Sequence, residues 1–172
     1  DVIRNNLILD EGDSYNKILH NKSINNLKAL NFFKTVETEV VDGTSADTKV
    51  INIEVEEKPT GEISAGAGVG TSGSTVMFGV KENNYLGKGL SVDGNATISE
   101  ETFKGLLRVT NPNYNNSDKS IFASIQAIET DRLTNYGYKT NKTGFEIGTS
   151  FEYLRDFNFG LSTSTYYETI DT

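Results

Sequence analysis

Cysteine is absent from the 172 residues. Disulfides, thiolate metal sites and cysteine nucleophiles are therefore excluded. One histidine, His20, is all the imidazole there is, too little for a zinc site without thiolates. It falls in a helical stretch beside Asn16 and Asn21, where it is expected to be solvated. No Ser-His-Asp set is credible around it, because no nucleophile elbow is near. Tryptophan is missing and proline occurs twice. With so little proline and few charge runs, wholesale disorder is not expected. No window approaches the roughly 20 apolar residues of a membrane-spanning helix. That leaves a membrane open, since a spanning strand needs only about 9–11 alternating residues. The net charge is −8, spread as −4 on residues 1–60 and −4 on residues 61–172. No basic patch stands out, so nucleic acid is not an expected partner. The opening "DVIRNN" has no Met, no basic start and no apolar core, so no signal peptide is expected.

What is present has two periods. Residues 1–60 start helically. In "DVIRNNLILDEGD", Ile3, Leu7 and Ile8 recur at helical spacing before a break at Gly12. In "DSYNKILHNKSINNLKALNFF", Tyr15, Ile18, Leu19, Ile24, Leu27 and Leu30 form an apolar stripe. Asp13 or Ser14 is the expected N-cap. Asn31 sits at the expected stop, in the left-handed conformation that Asn tolerates better than most residues. Two strands follow, "FKTVETEVV" and "TKVINIEVEEK". Val36, Thr38 and Val40 share one side of the first. Ile51, Ile53 and Val55 share one side of the second.

Pro59-Thr60-Gly61 marks a change. Beyond it the period is two, in seven stretches of about 9–12 residues. The sixth shows the pattern best. In "TGFEIGTSFEY", Phe145, Ile147, Phe151 and Tyr153 fall on one side, and Gly144, Glu146, Gly148, Ser150 and Glu152 on the other. The wet side of all seven stretches reads as small or charged. A soluble sandwich would alternate too, with its oily face packed on a second sheet. Strand length favours a transmembrane barrel. So do the connections, which alternate in character. "TSGS", "SEET" and "TDRLTNYGYKTN" fall at one end; "NNYLGKG", "NPNYNNSD" and "RD" fall at the other. Tyr85, Tyr114, Tyr153 and Phe157 gather near the second end, as an interfacial aromatic girdle would.

Two patterns have the outline of a chemical site but not its spacing or context. Gly68, Gly70 and Gly73 have the G-x-G-x-x-G spacing of a dinucleotide site, but "STVMFGV" follows as a strand where a helix should open. Glu146 and Glu152 lie six residues apart on one strand, roughly 20 Å. Glycosidase carboxylates sit roughly 5–10 Å apart. Only an acid on a neighbouring strand could make either catalytic. No catalytic residue, metal site or cofactor is expected.

Several motifs resemble one family. "ALNFFKTVETEV" is similar to the second helix and following strand of a POTRA domain: Leu30, Phe32, Phe33 and Val36 match, with Asn31 where Gly is usual. "VEEKPTG" resembles that family's junction between the last POTRA domain and its barrel. "NNYLGKG" (Asn84, Tyr85, Leu86, Gly87, Gly89) resembles a turn of the barrel, with Tyr85 in place of Trp. "VTNPNY" (Val109, Thr110, Asn111, Pro112, Tyr114) resembles another. These motifs occur in the family's order. The family is that of the outer-membrane assembly factors, which join POTRA domains to a β-barrel.

The resemblance implies a fold of two parts. Residues 1–59 would be the last POTRA domain, α+β and truncated, with its first strand missing. Residues 60–172 would be the N-terminal part, about seven strands, of an antiparallel transmembrane β-barrel. The chain then reads as an internal fragment. The implied function is folding and insertion of outer-membrane β-barrel proteins, with no enzymatic step. The implied partners are unfolded outer-membrane clients, accessory lipoproteins and the lipid bilayer. The implied location is the outer membrane, with the POTRA part in the periplasm. A client strand would bind at Val36, Glu37, Thr38, Glu39, Val40 and Val41, by β-augmentation. A lateral seam would run along Gly61, Ile63, Ala65, Gly66, Ala67, Gly68, Val69 and Gly70, where glycine weakens the strand. The alternatives are a TamA-like or two-partner-secretion channel of the same architecture, and a soluble α+β binding module.

Overall fold

The computed structural model describes residues 2–45, 47–70, 73–154 and 156–172. The chain divides into two units, 1–60 and 61–172. Its architecture is mostly antiparallel sheet with few helices.

In the first unit, helix α1 (Val2–Asn5) is a single turn, shorter than the spacing of Ile3, Leu7 and Ile8 suggests. The Asn6 side-chain amide donates to the Val2 carbonyl at 2.8 Å, where the helical ladder would place a backbone N–H. Helix α2 spans Lys17–Ala29. Its N-cap is Asn16, not Asp13 or Ser14. The Asn16 Oδ1 accepts from the backbone N–H of Ile18 at 2.8 Å and of Leu19 at 3.2 Å. The Asp13 carboxylate is occupied three residues back, accepting from the Asp10 N–H. Asn31 ends the helix at φ 60°, as the sequence predicts. Its side chain accepts from Lys58 Nζ at 2.5 Å.

The stripe is buried only in part. Ile24 and Leu27 are covered, whereas Ile18 is 77% exposed. His20 is buried rather than solvated, with Nε2 3.3 Å from Thr38 Oγ1. Thr38 belongs to strand β1 (Phe33–Asp42), which pairs antiparallel with β2 (Lys49–Glu57). Val36 lies opposite Val55, Thr38 opposite Ile53, and Val40 opposite Ile51. The sheet of this unit has these two strands alone among the described residues, so each has one open edge.

The second unit is an antiparallel meander. Its strands are β3 (Gly61–Gly70), β4 (Gly73–Tyr85), β5 (Leu90–Ser99), β6 (Thr102–Asn111), β7 (Lys119–Arg132), β8 (Tyr138–Leu154) and β9 (Phe157–Asp171). Each pairs with its neighbours in the chain; β3 and β9 are the edges, and the sheet is not closed. The later strands outrun the expected length, β8 reaching 17 residues. "TDRLTNYGYKTN" is therefore not a long loop. Strand pairing continues through it to Arg132 opposite Tyr138. The turn between them is the short helix α3 (Leu133–Tyr136) closed by Gly137 at φ 74°.

Candidate functional site

The site offered by this unit is the sheet itself: two unlike faces and a free edge. Most of the oily residues share one face; Met77, Leu106, Phe122, Ile128 and Tyr166 fall on the other. One register row on the oily face runs from Ile63 opposite Val80 to Leu107 opposite Ile125 and on to Phe145. Among the described residues nothing in the unit covers it. Ile63 is 86% exposed, Val80 59% and Ile125 54%. Tyr85, Tyr114, Tyr153 and Phe157 are also exposed. All four lie at the end carrying the β4–β5, β6–β7 and β8–β9 connections.

The polar face is built around one row. Glu62 lies opposite Lys81, Lys81 opposite Asp93, and Asp93 opposite Arg108. Arg108 lies opposite Ser124, and Ser124 opposite Glu146. Arg108 Nη2 reaches over Ser124 to Glu146 Oε2 at 3.1 Å. The buried Ser124 hydroxyl donates to the same oxygen at 3.4 Å. The partner of Glu146 is thus a base and not a second acid. On β9 the register partner of Glu152 is Asn158, not a carboxylate. The Glu152 Oε1 accepts from the Asp156 N–H at 2.7 Å, capping the β8–β9 turn. The hydrogen bonds of both glutamates thus go to a base, a hydroxyl and a backbone amide.

The polar face is less uniformly small or charged than its sequence suggests. Phe122 and Tyr166 project from it, since Phe122 lies opposite Thr110 and Gly148, and Tyr166 opposite Gly144. The Arg108 guanidinium stacks 4.5 Å from the Phe122 centroid, and Lys142 Nζ lies 4.3 Å from that of Tyr166. Both rings lie over glycine: a Cβ at Gly148 would run into Phe122, and one at Gly144 into Tyr166. These aromatics break the alternation, and only the strand register reveals that they fill the space over a glycine.

The β3 glycines are different. A Cβ at Gly68 or Gly70 would meet nothing within 4 Å, and at Gly66 only Met77 Cε, at 3.6 Å. Packing within the sheet does not require glycine at these places. Gly68 and Gly70 lie on β3 and Gly73 on β4, with no helix opening after them, so the dinucleotide spacing has no structural counterpart.

The family-like turns are well formed. In the β4–β5 turn, Asn84 takes the Gly87 N–H on its carbonyl at 3.0 Å and the Gly89 N–H on its Oδ1 at 2.7 Å. Leu86, Gly87 and Gly89 all have positive φ, at 56°, 69° and 69°. In the β6–β7 turn, Tyr114–Asn116 form a 3-10 turn, and Asn111 Oδ1 accepts from the Asn113 N–H at 3.1 Å. At the opposite end of the sheet, two consecutive acids reach to different hairpins. Glu100 accepts from the Ser74 N–H, and Glu101 from Arg132 Nε and Asn135 Nδ2. Among the described residues, no cluster of His, Asp and Glu could hold a metal, and no helix is long and apolar enough to cross a membrane. Strands that cross one are a separate matter.

No protein-family model matches the chain. The outer membrane protein assembly factor BamA of Neisseria meningitidis is 28% identical over 170 residues, 94% of this chain. The crystal structure of BamA from Haemophilus ducreyi lacking POTRA domains 1–3 superposes over 99% of this chain with a TM-score of 0.87, at 22% identity. The chain resembles BamA. It spans 13–21% of the length of the curated relatives it matches and 33% of the Haemophilus ducreyi chain. CdiB from Acinetobacter baumannii shares the fold less closely, with a TM-score of 0.55 over 98% of this chain at 12% identity. At these identities the two structures speak to the fold: an open, antiparallel sheet like part of the BamA barrel.

Proposed function

We propose that this chain is part of an outer-membrane β-barrel assembly factor that folds and inserts other barrel proteins. The observation that carries the reading is the uncovered oily face of a seven-stranded meander whose other face is polar. A soluble sheet must bury such a face against another layer; a barrel strand gives it to lipid. Along β8, Phe145 to Tyr153 is eight residue steps, about 27 Å of strand. At a tilt of about 40° that covers about 20 Å of a hydrophobic band roughly 25 Å tall.

In this reading residues 60–172 are barrel strands in the outer membrane. Residues 1–59 are the last POTRA domain, partial, on the periplasmic side. The open edges of the β1–β2 sheet support that assignment. Val36–Val41 on β1 would offer backbone groups to an extended client. Strand β3 would form one side of a lateral seam, and its sterically unforced glycines support the role, because glycine weakens a strand. Unfolded barrel proteins are the clients, and accessory lipoproteins and lipid the standing partners. No step is enzymatic. The greater likeness to BamA than to CdiB favours assembly over secretion.

The test is insertion of a urea-unfolded barrel protein into vesicles holding the full-length protein. Insertion faster than into empty vesicles is expected, and equal rates would sink the function. Replacing Gly66 and Gly68 by Val should slow insertion, since a Cβ at either site meets no clash in this sheet and valine strengthens a strand that glycine weakens. Unchanged insertion would sink the seam.

A further inference from the structure

The charged row on the polar face ends at the free edge. Glu62, Lys81, Asp93 and Arg108, on four successive strands, lie opposite one another in three pairs, each of opposite sign. The next row over β3, β4 and β5 is Ser64, Gly79 and Asn95; the one after is Gly66, Met77 and Thr97. Neither carries a charge. Glu62 is also the one charged residue of β3, "GEISAGAGVG".

Register is weakly specified in glycine-rich strands, because they have few side chains to lock against a partner. A strand hydrogen-bonded to the free edge of β3 would meet only Ser, Gly and Glu62 on the polar face. A slip of one residue would turn its oily side chains to the wrong face. A slip of two residues keeps the faces correct and changes only what stands opposite Glu62. Like charges directly opposite repel and unlike charges attract. Glu62 is therefore the residue of β3 able to tell two-residue slips apart.

We propose that Glu62 sets the register of a strand added at the β3 edge, by selecting an extended client segment that carries Lys or Arg on its polar face. The row would then begin with a cation beside Glu62, continuing the alternation. This rests on the reading of β3 as a seam and adds what the seam recognises.

The absence of cysteine from this chain makes the test direct. Ser64→Cys in the full-length protein supplies a polar-face thiol two residues from Glu62. The probes are synthetic nine-residue strands alternating Val and Thr, each with one polar-face Cys and one Lys at a varied polar-face position. If pairing is antiparallel, as throughout this sheet, Lys two residues C-terminal to the peptide Cys stands opposite Glu62. That peptide should give about 1.4- to 5-fold more disulfide than the others, the range of a single cross-strand charge pair. Glu62→Gln should level the yields. Glu62→Lys should move the preference to the matching Glu peptide. Yields that ignore Lys position, or that Glu62→Lys leaves unchanged, overturn the proposal alone. Capture of a second copy of the protein in place of every peptide also overturns it. Absence of any disulfide to β3 overturns the seam and the proposal together.

Discussion

At the scale of single residues, the polar groups that matter are those whose partners lie far away in sequence. Ser23 is buried, accepts from the Ile8 N–H at 2.8 Å and donates to the Leu19 carbonyl at 3.0 Å. Removing it strands a backbone donor beside the core, which costs about 1–3 kcal/mol. Ser23→Ala should therefore lower the free energy of opening of α2 by about that much, read by hydrogen exchange at the α2 amides; unchanged protection would contradict the role. Arg108 is placed similarly. Its guanidinium is held by Glu146 and by the Phe122 ring, and its Nε is buried without a hydrogen-bond partner among the described residues. A half-exposed pair of this kind contributes about 1 kcal/mol, at the upper end of exposed pairs. A double-mutant cycle with Arg108→Met and Glu146→Gln, followed by urea unfolding of the full-length protein in detergent, should return a coupling near that value. Zero coupling would reduce the contact to a passing encounter.

At the scale of elements, what the sequence shows is period, and what it hides is register. Strand β8 is legible because Phe145, Ile147, Phe151 and Tyr153 alternate with Gly and Glu. Its first residues are not, because "YKTN" is polar on both faces and reads as loop. Backbone pairing carries them as strand regardless, with Lys139 reaching Glu129 and Asp131 beyond the oily band. The N-cap is not legible in the sequence because Asp13, Ser14 and Asn16 are all good caps; the bonds of Asn16 to the Ile18 and Leu19 N–H groups decide among them. Burial of His20 was illegible because Thr38 lies on another element. In the sequence the glutamates of β8 read as a possible acid pair; register puts Arg108 beside one and a turn amide beside the other.

Turns are where sequence and geometry agree best, and Asn84 shows why. Its side chain holds the Gly89 N–H in a loop whose positive-φ residues include a leucine, an unfavourable conformation for a residue with a Cβ. Asn84→Ala should cost about 1–2 kcal/mol by the lost acceptor, and Asn84→Asp should recover most of it. Equal losses in both variants would show that the side chain is not the acceptor. At the β1–β2 hairpin, hydrogen bonding to Lys49 holds the Asp42 carboxyl below its ordinary value of 3.8. A depressed carboxyl adds stability above its unfolded value and loses it as pH falls through the folded one. In Lys49→Met the Asp42 carboxyl should titrate back toward 3.8 in an NMR pH series, and no movement would remove Lys49 as the cause.

At the scale of the whole molecule, the two faces of the sheet set opposite rules for one kind of substitution. Ile147 stands on the oily face, in register with Ala123 and Thr163; Ser150 stands on the polar face of the same strand, in register with Ser120 and Gly160. If lipid meets the oily face, a lysine at 147 must carry its charge near the middle of the hydrocarbon, at about 2–4 kcal/mol. A lysine at 150 would project into a wet interior at little cost. If instead a second protein layer covered the oily face, Ile147→Lys would still destabilise. The loss would then not depend on lipid. The decisive measurement is therefore urea unfolding of both variants of the full-length protein in vesicles of short and long acyl chains. Ile147→Lys should lose more in the thicker bilayer, where its side chain has farther to reach the interface. Ser150→Lys should match the parent in both. A loss at 147 independent of bilayer thickness would put a protein layer, not lipid, against the oily face of this sheet.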